Sequence, residues 1–333
     1  SIGLLVYALI PTLFPNIAYL GLLIGTVIFS ISAGLSEVLL SPMIAAIPSD
    51  NPQRDMSLLH SLYAFGTFTM ILISTVFLKI FGTDSWAYLI MILASLPLIP
   101  AVIFMTSPMP NMDGEDSNKS SLGDTKRRAV GLALCVACIF FGSCAENAMS
   151  NWISTYIESA LGIDKMIGDV LGAAAFAILL GIARISYAKF GKNITRTLLI
   201  SMIAAAVCYL VVGLSSNVIV AFIACIATGF CTSMLWPGTL IMMEEKIPHA
   251  GVAAFALMAS GGDLGASVAP QLMGVVVDNV STTDFAVRLG NTLNISPEQV
   301  GLKIGMLTMA IFPIIGIVIV ALIIKYFKKN ANI

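Results

Sequence analysis

Apolar residues run along this chain in unbroken stretches of about 20 or more, separated by short polar joints. A helix rises about 1.5 Å per residue, so about 20 residues cross the roughly 30 Å hydrocarbon core of a bilayer. Backbone N–H and C=O groups have no water to bond at that depth, so each run must pair its own, and helices are the elements the pattern predicts. Ten spans are expected, at 2–15, 17–47, 56–81, 85–106, 129–157, 166–188, 196–214, 217–243, 250–278 and 301–327. The longest polar interruption, Ser107 to Arg128, carries Asp113, Glu115 and Asp116 and then Lys126, Arg127 and Arg128. It reads as a flexible linker, residues 107–128, between an N-terminal bundle at 1–106 and a C-terminal bundle at 129–333.

Composition supports this reading. Of 333 residues, 58% are hydrophobic and only 11% charged, where a soluble domain carries about a quarter charged. The net charge of −1 brings no basic surface for nucleic acid, and none is expected as a partner. All six cysteines lie in apolar runs, where a thiol packs as a small soft side chain. The Cys135-x-x-Cys138 spacing has the look of a metal or redox pair, but packing is the default expectation. The chain opens at Ser1 inside an apolar run, shows no signal peptide, and reads as a piece of something longer.

Lys and Arg, which cytoplasmic loops retain in excess, set the orientation. One set of alternate loops and the tail holds Arg54, Lys119, Lys126, Arg127, Arg128, Lys189, Lys192, Arg196, Lys246, Lys325, Lys328 and Lys329. The other holds only Lys165, Arg288 and Lys303, with Lys79 nearby. The linker and C-terminus are therefore expected in the cytoplasm of a cell-membrane protein, with the Asn279–Val300 loop outside.

An internal repeat shows at one fixed offset. Gly34, Leu40, Pro42 and Gly66 each recur 195 residues later, as Gly229, Leu235, Pro237 and Gly261. Parallel repeats related by an axis along the membrane normal mark a large class of transporters. The second copy begins near Ala129, so the same offset places the start of the first roughly 65 residues upstream of Ser1. Two helices are thus expected to precede this chain, which then holds ten of twelve.

Polar residues fall in stripes along otherwise apolar helices. Ser30, Gly34, Glu37 and Ser41 share one face of the second span, and His60, Tyr63, Thr67 and Ser74 one face of the third. The fifth span carries Ser143, Glu146, Asn147, Ser150 and Ser154, and the ninth Ser260, Asp263, Ser267 and Gln271. A charged group at mid-membrane costs about 2.5–3.5 kcal/mol on insertion scales, so it faces a bundle interior or a wet cavity. A hydrated central cavity would account for all four stripes. Hydrogen-bonding glue between helices is the alternative for any single serine. For Glu37 and Glu146 the choice is proton exchange or a structural hydrogen bond. Asp263, among Gly261, Gly262 and Gly265, either meets solute or bonds nearby backbone, and His60 is a further candidate. Trp236 is a stacking wall or a packing residue. Arg184 either snorkels to the cytoplasmic edge or forms a gating ion pair.

These features together resemble the major facilitator superfamily: the paired six-helix repeat, the cytoplasmic linker, and the basic run Arg184-Ile-Ser-Tyr-Ala-Lys189-Phe-Gly191-Lys192, which is similar to that family's gating-loop motif. Within it, the chain looks most like the fucose-permease-like branch of sugar–proton symporters. That branch has an acid five residues before a proline, as in Glu37-Val-Leu-Leu-Ser-Pro42, and a glycine, acid and tryptophan comparable to Gly142, Glu146 and Trp152. Ser41 stands where the branch usually has Asn. The resemblance implies an all-α membrane fold of two helical bundles and transport by alternating access. Proton coupling would fall to Glu37 and Glu146, solute contact to Tyr63, Asn147, Trp236, Asp263 and Gln271, and gating to Arg184, Lys189 and Lys192. The expected partners are a small solute such as a sugar, the proton and the lipid bilayer, with no cofactor or metal, and a monomeric state. An efflux carrier for amphipathic compounds is the transporter alternative. A polytopic membrane enzyme or sensor is the rival from another class, although His60 and His249 are the only histidines.

Overall fold

The computed structural model describes residues 1–110, 122–248 and 250–330. Asp113, Glu115, Asp116 and Lys119 of the expected linker, His249, and the side chains of Lys165 and Lys329 lie outside the described residues. Every long element described is a helix, as backbone self-satisfaction in lipid requires. In order they are α1 (Ile2–Leu13), α2 (Ala18–Ala46), α3 (Pro52–Phe81), α4 (Trp86–Leu93), α5 (Leu98–Thr106), α6 (Leu122–Thr155), the one-turn α7 (Lys165–Ile167) and α8 (Ala175–Phe190). There follow α9 (Ile194–Leu214), α10 (Val218–Thr232), α11 (Pro237–Lys246), α12 (Gly251–Ser281), α13 (Asp284–Leu293), α14 (Pro297–Met309) and α15 (Ile311–Asn330).

Among the described residues, 9 helical stretches are long and apolar enough to cross a membrane. The tenth expected span is α1, apolar throughout but only 12 residues long, which at about 1.5 Å each falls short of the hydrocarbon core. Three spans are broken rather than straight, and each break lies at or just before a proline. Pro97 sits between α4 and α5, Pro237 opens α11 after the turn at Ser233–Trp236, and Pro313 follows the break at Ala310. Proline supplies no N–H to the preceding turn and crowds it, so the helix re-forms through tighter i→i+3 bonds such as Leu96 N–H to Leu93 C=O. Residues 122–128, expected in the linker, are the first turns of α6, where the Arg127 carbonyl accepts from the Tyr326 hydroxyl and Arg128 donates to the Pro248 carbonyl. Within the expected Asn279–Val300 loop the chain forms α13.

The described chain clusters into two compact units, Ser1–Pro48 with Leu72–Met112, and Ser49–Ile71 with Asp113–Ile333. In the first, α1 packs on α2 and α4. Glycines bring the α1 and α2 backbones together: a Cβ on Gly3 would sit 2.5 Å from the Phe29 nitrogen, and one on Gly25 would sit 2.6 Å from the Tyr7 Cα. Tyr7 meets Phe29 and Trp86 edge-on, at ring separations of 6.0 and 5.9 Å. In the second unit, α12 lies along α6 in the same manner, with Gly265 against the Phe140 carbonyl. Trp152 of α6 seals the far end of this contact, lying over Gly274 and donating to the Pro270 carbonyl at 3.0 Å.

Candidate functional site

The site is assembled within the second unit by the first two-thirds of α3, by α6, α8 and the break between α10 and α11. In an unbroken helix the N–H of residue 237 would bond the carbonyl of residue 233; Pro237 has no N–H, so the Ser233 carbonyl has no helical donor. Buried in apolar surroundings, that carbonyl needs another partner. Arg184 of α8 supplies it, its Nε donating to Ser233 O at 2.8 Å. The same guanidinium donates from Nη1 to the His60 carbonyl on α3 at 2.7 Å, and its Nη2 faces both carboxylate oxygens of Glu146 on α6 at 3.3 Å. In return, the Ser57 hydroxyl donates to the Arg184 carbonyl at 2.7 Å. One cation thus ties four segments together. Arginine suits this role, because its planar fork of five donors can bond in three directions while its charge is met by one carboxylate.

Arg184 is 1% exposed and Glu146 8%. Arg184 does not snorkel to the cytoplasmic edge: four backbone and side-chain acceptors satisfy it inside the protein. Its ion partner is Glu146. At 3.3 Å through one nitrogen, the contact is looser than the 2.7–2.9 Å fork of a tight Arg–carboxylate pair. Glu146 therefore faces two ways. One side meets Arg184, and the other lines a small cleft with Tyr63 and Thr67 of α3, Asn147 and Ser150 of α6, and Phe176 and Leu180 of α8. A cleft of about 60 Å³ takes a few waters.

The structure brings some expected residues together and leaves others apart. Tyr63, Glu146 and Asn147 share the cleft, and Asn147 is steadied there by donating to the Ser143 carbonyl and hydroxyl at 3.1 Å. Ser143 is buried and holds Asn147 within α6, whereas Ser154 bonds Asp169 of the next helical segment. On α12, Asp263 and Gln271 are exposed together with Ser260 and Ser267, making a continuous polar strip on a membrane helix. Trp236 lies half-buried with its six-membered ring across Gly262. Glu37 sits half-buried on α2 in the first unit, one turn before the buried Ser41 and Pro42. Lys189 and Lys192 are exposed at the end of α8, Lys189 standing 5.3 Å over the Phe190 ring. Near them, Gln53 of α3 donates to Glu245 of α11 and accepts from the Tyr187 hydroxyl. The roles of the Ser233 carbonyl and of Ser57 were not foreseen, though Pro237, four residues after Ser233, was the available signal. Among the described residues no group of three or more His, Cys, Asp or Glu side chains could hold a metal, and Cys135 and Cys138 are fully buried in α6.

Long apolar helices around a buried cation–carboxylate pair and a polar cleft define a multi-pass membrane carrier. The chain belongs to the Major Facilitator Superfamily, whose family model matches residues 1–270; it is a secondary transporter, not an enzyme. A comparison with curated protein sequences finds no match. Among solved structures, the E. coli fucose:proton symporter FucP, as an alanine-substituted variant, aligns with TM-score 0.62 at 15% identity over 95% of this chain and 82% of that one. FucP in its outward conformation aligns with TM-score 0.61 at 15% identity, over 95% and 81%. A bacterial homologue of the human lysosomal transporter Spinster, inward-facing and unoccupied, aligns with TM-score 0.52 at 13% identity, over 95% and 72%. At these identities the likeness is one of fold.

Proposed function

We propose that this chain is part of a proton-coupled symporter for a small polar solute, a sugar being the favoured class. The observation that carries the reading is the position of Glu146, held by a buried arginine on one side and bordering a polar cleft on the other. A carboxylate so placed has two partners to exchange between, Arg184 and a proton delivered through the cleft. Taking up the proton removes the charge that holds Arg184. The guanidinium keeps its two backbone carbonyls, so the segments remain joined while the electrostatic part of the contact is released. Tyr63 and Asn147 in the cleft, and Asp263 and Gln271 on the α12 strip, supply the hydroxyl, amide and carboxylate groups that a polyhydroxylated solute bonds. Trp236 then contributes by holding α12 at Gly262. Glu37 is the matching acid of the N-terminal bundle, and Lys189 and Lys192 belong to the gating loop. The two bundles at 1–106 and 129–333, the linker at 107–128, and a cytoplasmic linker and C-terminus complete the reading, with the bilayer as the third partner and the monomer as the working unit. The fold likeness to a fucose:proton symporter favours this substrate class and coupling ion.

The test uses proteoliposomes and a panel of monosaccharides, following solute uptake and external pH together. Glu146→Gln and Glu37→Gln are each expected to abolish uptake-linked alkalinisation while solute exchange survives. Full alkalinisation in both variants would overturn the coupling role. Uptake of none of the sugars, with transport of amphipathic cations instead, would overturn the substrate class.

A further inference from the structure

Between the membrane-spanning α12 and α14 the chain makes a detour through the ten-residue helix α13. At 100° per residue, Phe285, Leu289, Leu293, Ala286 and Gly290 occupy an arc of about 140°, with Asp284, Arg288 and Asn291 on the other side and Thr292 at its edge; Val287 is the one apolar side chain outside the arc. The arc is itself divided. Ala286 and Gly290 are buried against the protein, while Phe285 is 53% and Leu293 48% exposed.

Both ends of α13 are pinned. Thr283 caps the start, its hydroxyl accepting from the Ala286 N–H. At the other end Asn294 takes the left-handed conformation with φ 57, and the Ile295 N–H returns to the Gly290 carbonyl at 3.0 Å. Gly290 is required there, since a Cβ would fall 2.6 Å from the Ile295 carbonyl oxygen. Ser296 and Gln299 then form a reciprocal cap on α14, and the Gln299 amide also donates to the Ser159 and Ala160 carbonyls. A helix tethered this closely stays at the ends of α12 and α14. With 31 residues, α12 is about 46 Å long, more than the hydrocarbon core, so its last turns reach the headgroup region.

We propose that α13 lies in the bilayer interface on the membrane face where α12 ends, its Phe285, Leu289 and Leu293 side chains in the upper acyl region and Arg288 and Asn291 among the headgroups. Its partner is lipid rather than another protein. The patch on this arc offers two exposed side chains, Phe285 and Leu293, with the half-buried Leu289 between them, far below the roughly 1,000 Å² a stable protein interface buries. It also begins at Phe285, one helical turn beyond the Ser281 end of α12, which already stands at headgroup depth. The helix then sets the depth of the α12 and α14 ends, fixing the polar strip of α12 relative to the membrane.

The experiment places tryptophan at three exposed sites, Phe285→Trp, Leu293→Trp and Asn291→Trp, in the whole chain in proteoliposomes. Fluorescence is read as the difference from the unsubstituted protein, which carries Trp86, Trp152 and Trp236. Lipid brominated near the headgroup end of its acyl chains is expected to quench the 285 and 293 reporters at least twofold more than the 291 reporter, and aqueous acrylamide to show the reverse order. Equal quenching of all three by acrylamide would overturn the proposal, because the helix would stand in water. Protection of the 285 and 293 reporters from both quenchers would overturn it in favour of a protein partner.

Discussion

The same four-residue signature occurs twice in this chain and meets two different environments. In the second copy a Cβ on Gly229 would lie 2.4 Å from the Phe176 carbonyl oxygen, and one on Gly261 would lie 2.8 Å from Val136. In the first copy a Cβ on Gly34 or Gly66 would meet nothing within 4 Å. The prolines differ as well. Helix α2 runs through Pro42 as one 29-residue helix, whereas the chain breaks at Ser233–Trp236 before Pro237. Helix spacing and polar stripes belong to the local sequence, but a glycine becomes a close contact only where another helix lies opposite. At Pro237 the break also makes a polar contact, because Arg184 takes the carbonyl that the proline releases.

The largest expected effect separates the two glycine environments. Gly229→Leu is expected to abolish recovery of folded protein, because the obstacle is backbone; overpacking alone costs about 1–3 kcal/mol and rises when nothing can yield. Gly34→Leu should leave the size-exclusion profile in detergent unchanged. Equal tolerance at both positions would erase the comparison. Next comes the buried pair. Arg184→Met strands Glu146 and two carbonyls, and should destabilise the protein by about 3–5 kcal/mol in thermal unfolding, with Arg184→Met/Glu146→Gln recovering much of that loss but none of the coupled transport. Pro237→Ala restores an N–H that competes with Arg184 for the Ser233 carbonyl. A loss of about 1–3 kcal/mol is expected from the displaced donor, against neutrality or a gain for Pro42→Ala. The smallest effects sharpen the first: Gly34→Ala and Gly66→Ala should each stabilise by about 0.4–1 kcal/mol through the unfolded chain.

Much of this was legible from sequence because the bilayer imposes simple rules. Span positions follow from length and hydropathy, and the α6 stripe correctly placed Glu146 and Asn147 on one face with Ser150. The Arg184–Glu146 pair was not legible as a pair, since 38 residues separate the partners and only tertiary packing joins α6 to α8. The break at Ser233 was hidden for the opposite reason: Pro42 and Pro237 look alike in sequence, yet only one interrupts its helix. Helix α13 was missed because ten residues are too few for a span, and its polar neighbours gave the whole stretch the look of a loop.

Transport requires the polar faces of these membrane helices to be wet, and α12 offers the most direct test. Its exposed arc divides into a polar part, Ser260, Asp263, Ser267 and Gln271, and an adjoining apolar part that includes Val268 and Leu272. Cysteines placed at Ser267 and Gln271 should react with a water-soluble, membrane-impermeant thiol reagent in proteoliposomes, while cysteines at Val268 and Leu272 should remain protected by lipid. Equal protection of all four would mean that the strip is dry, and would contradict the transport pathway argued for this face.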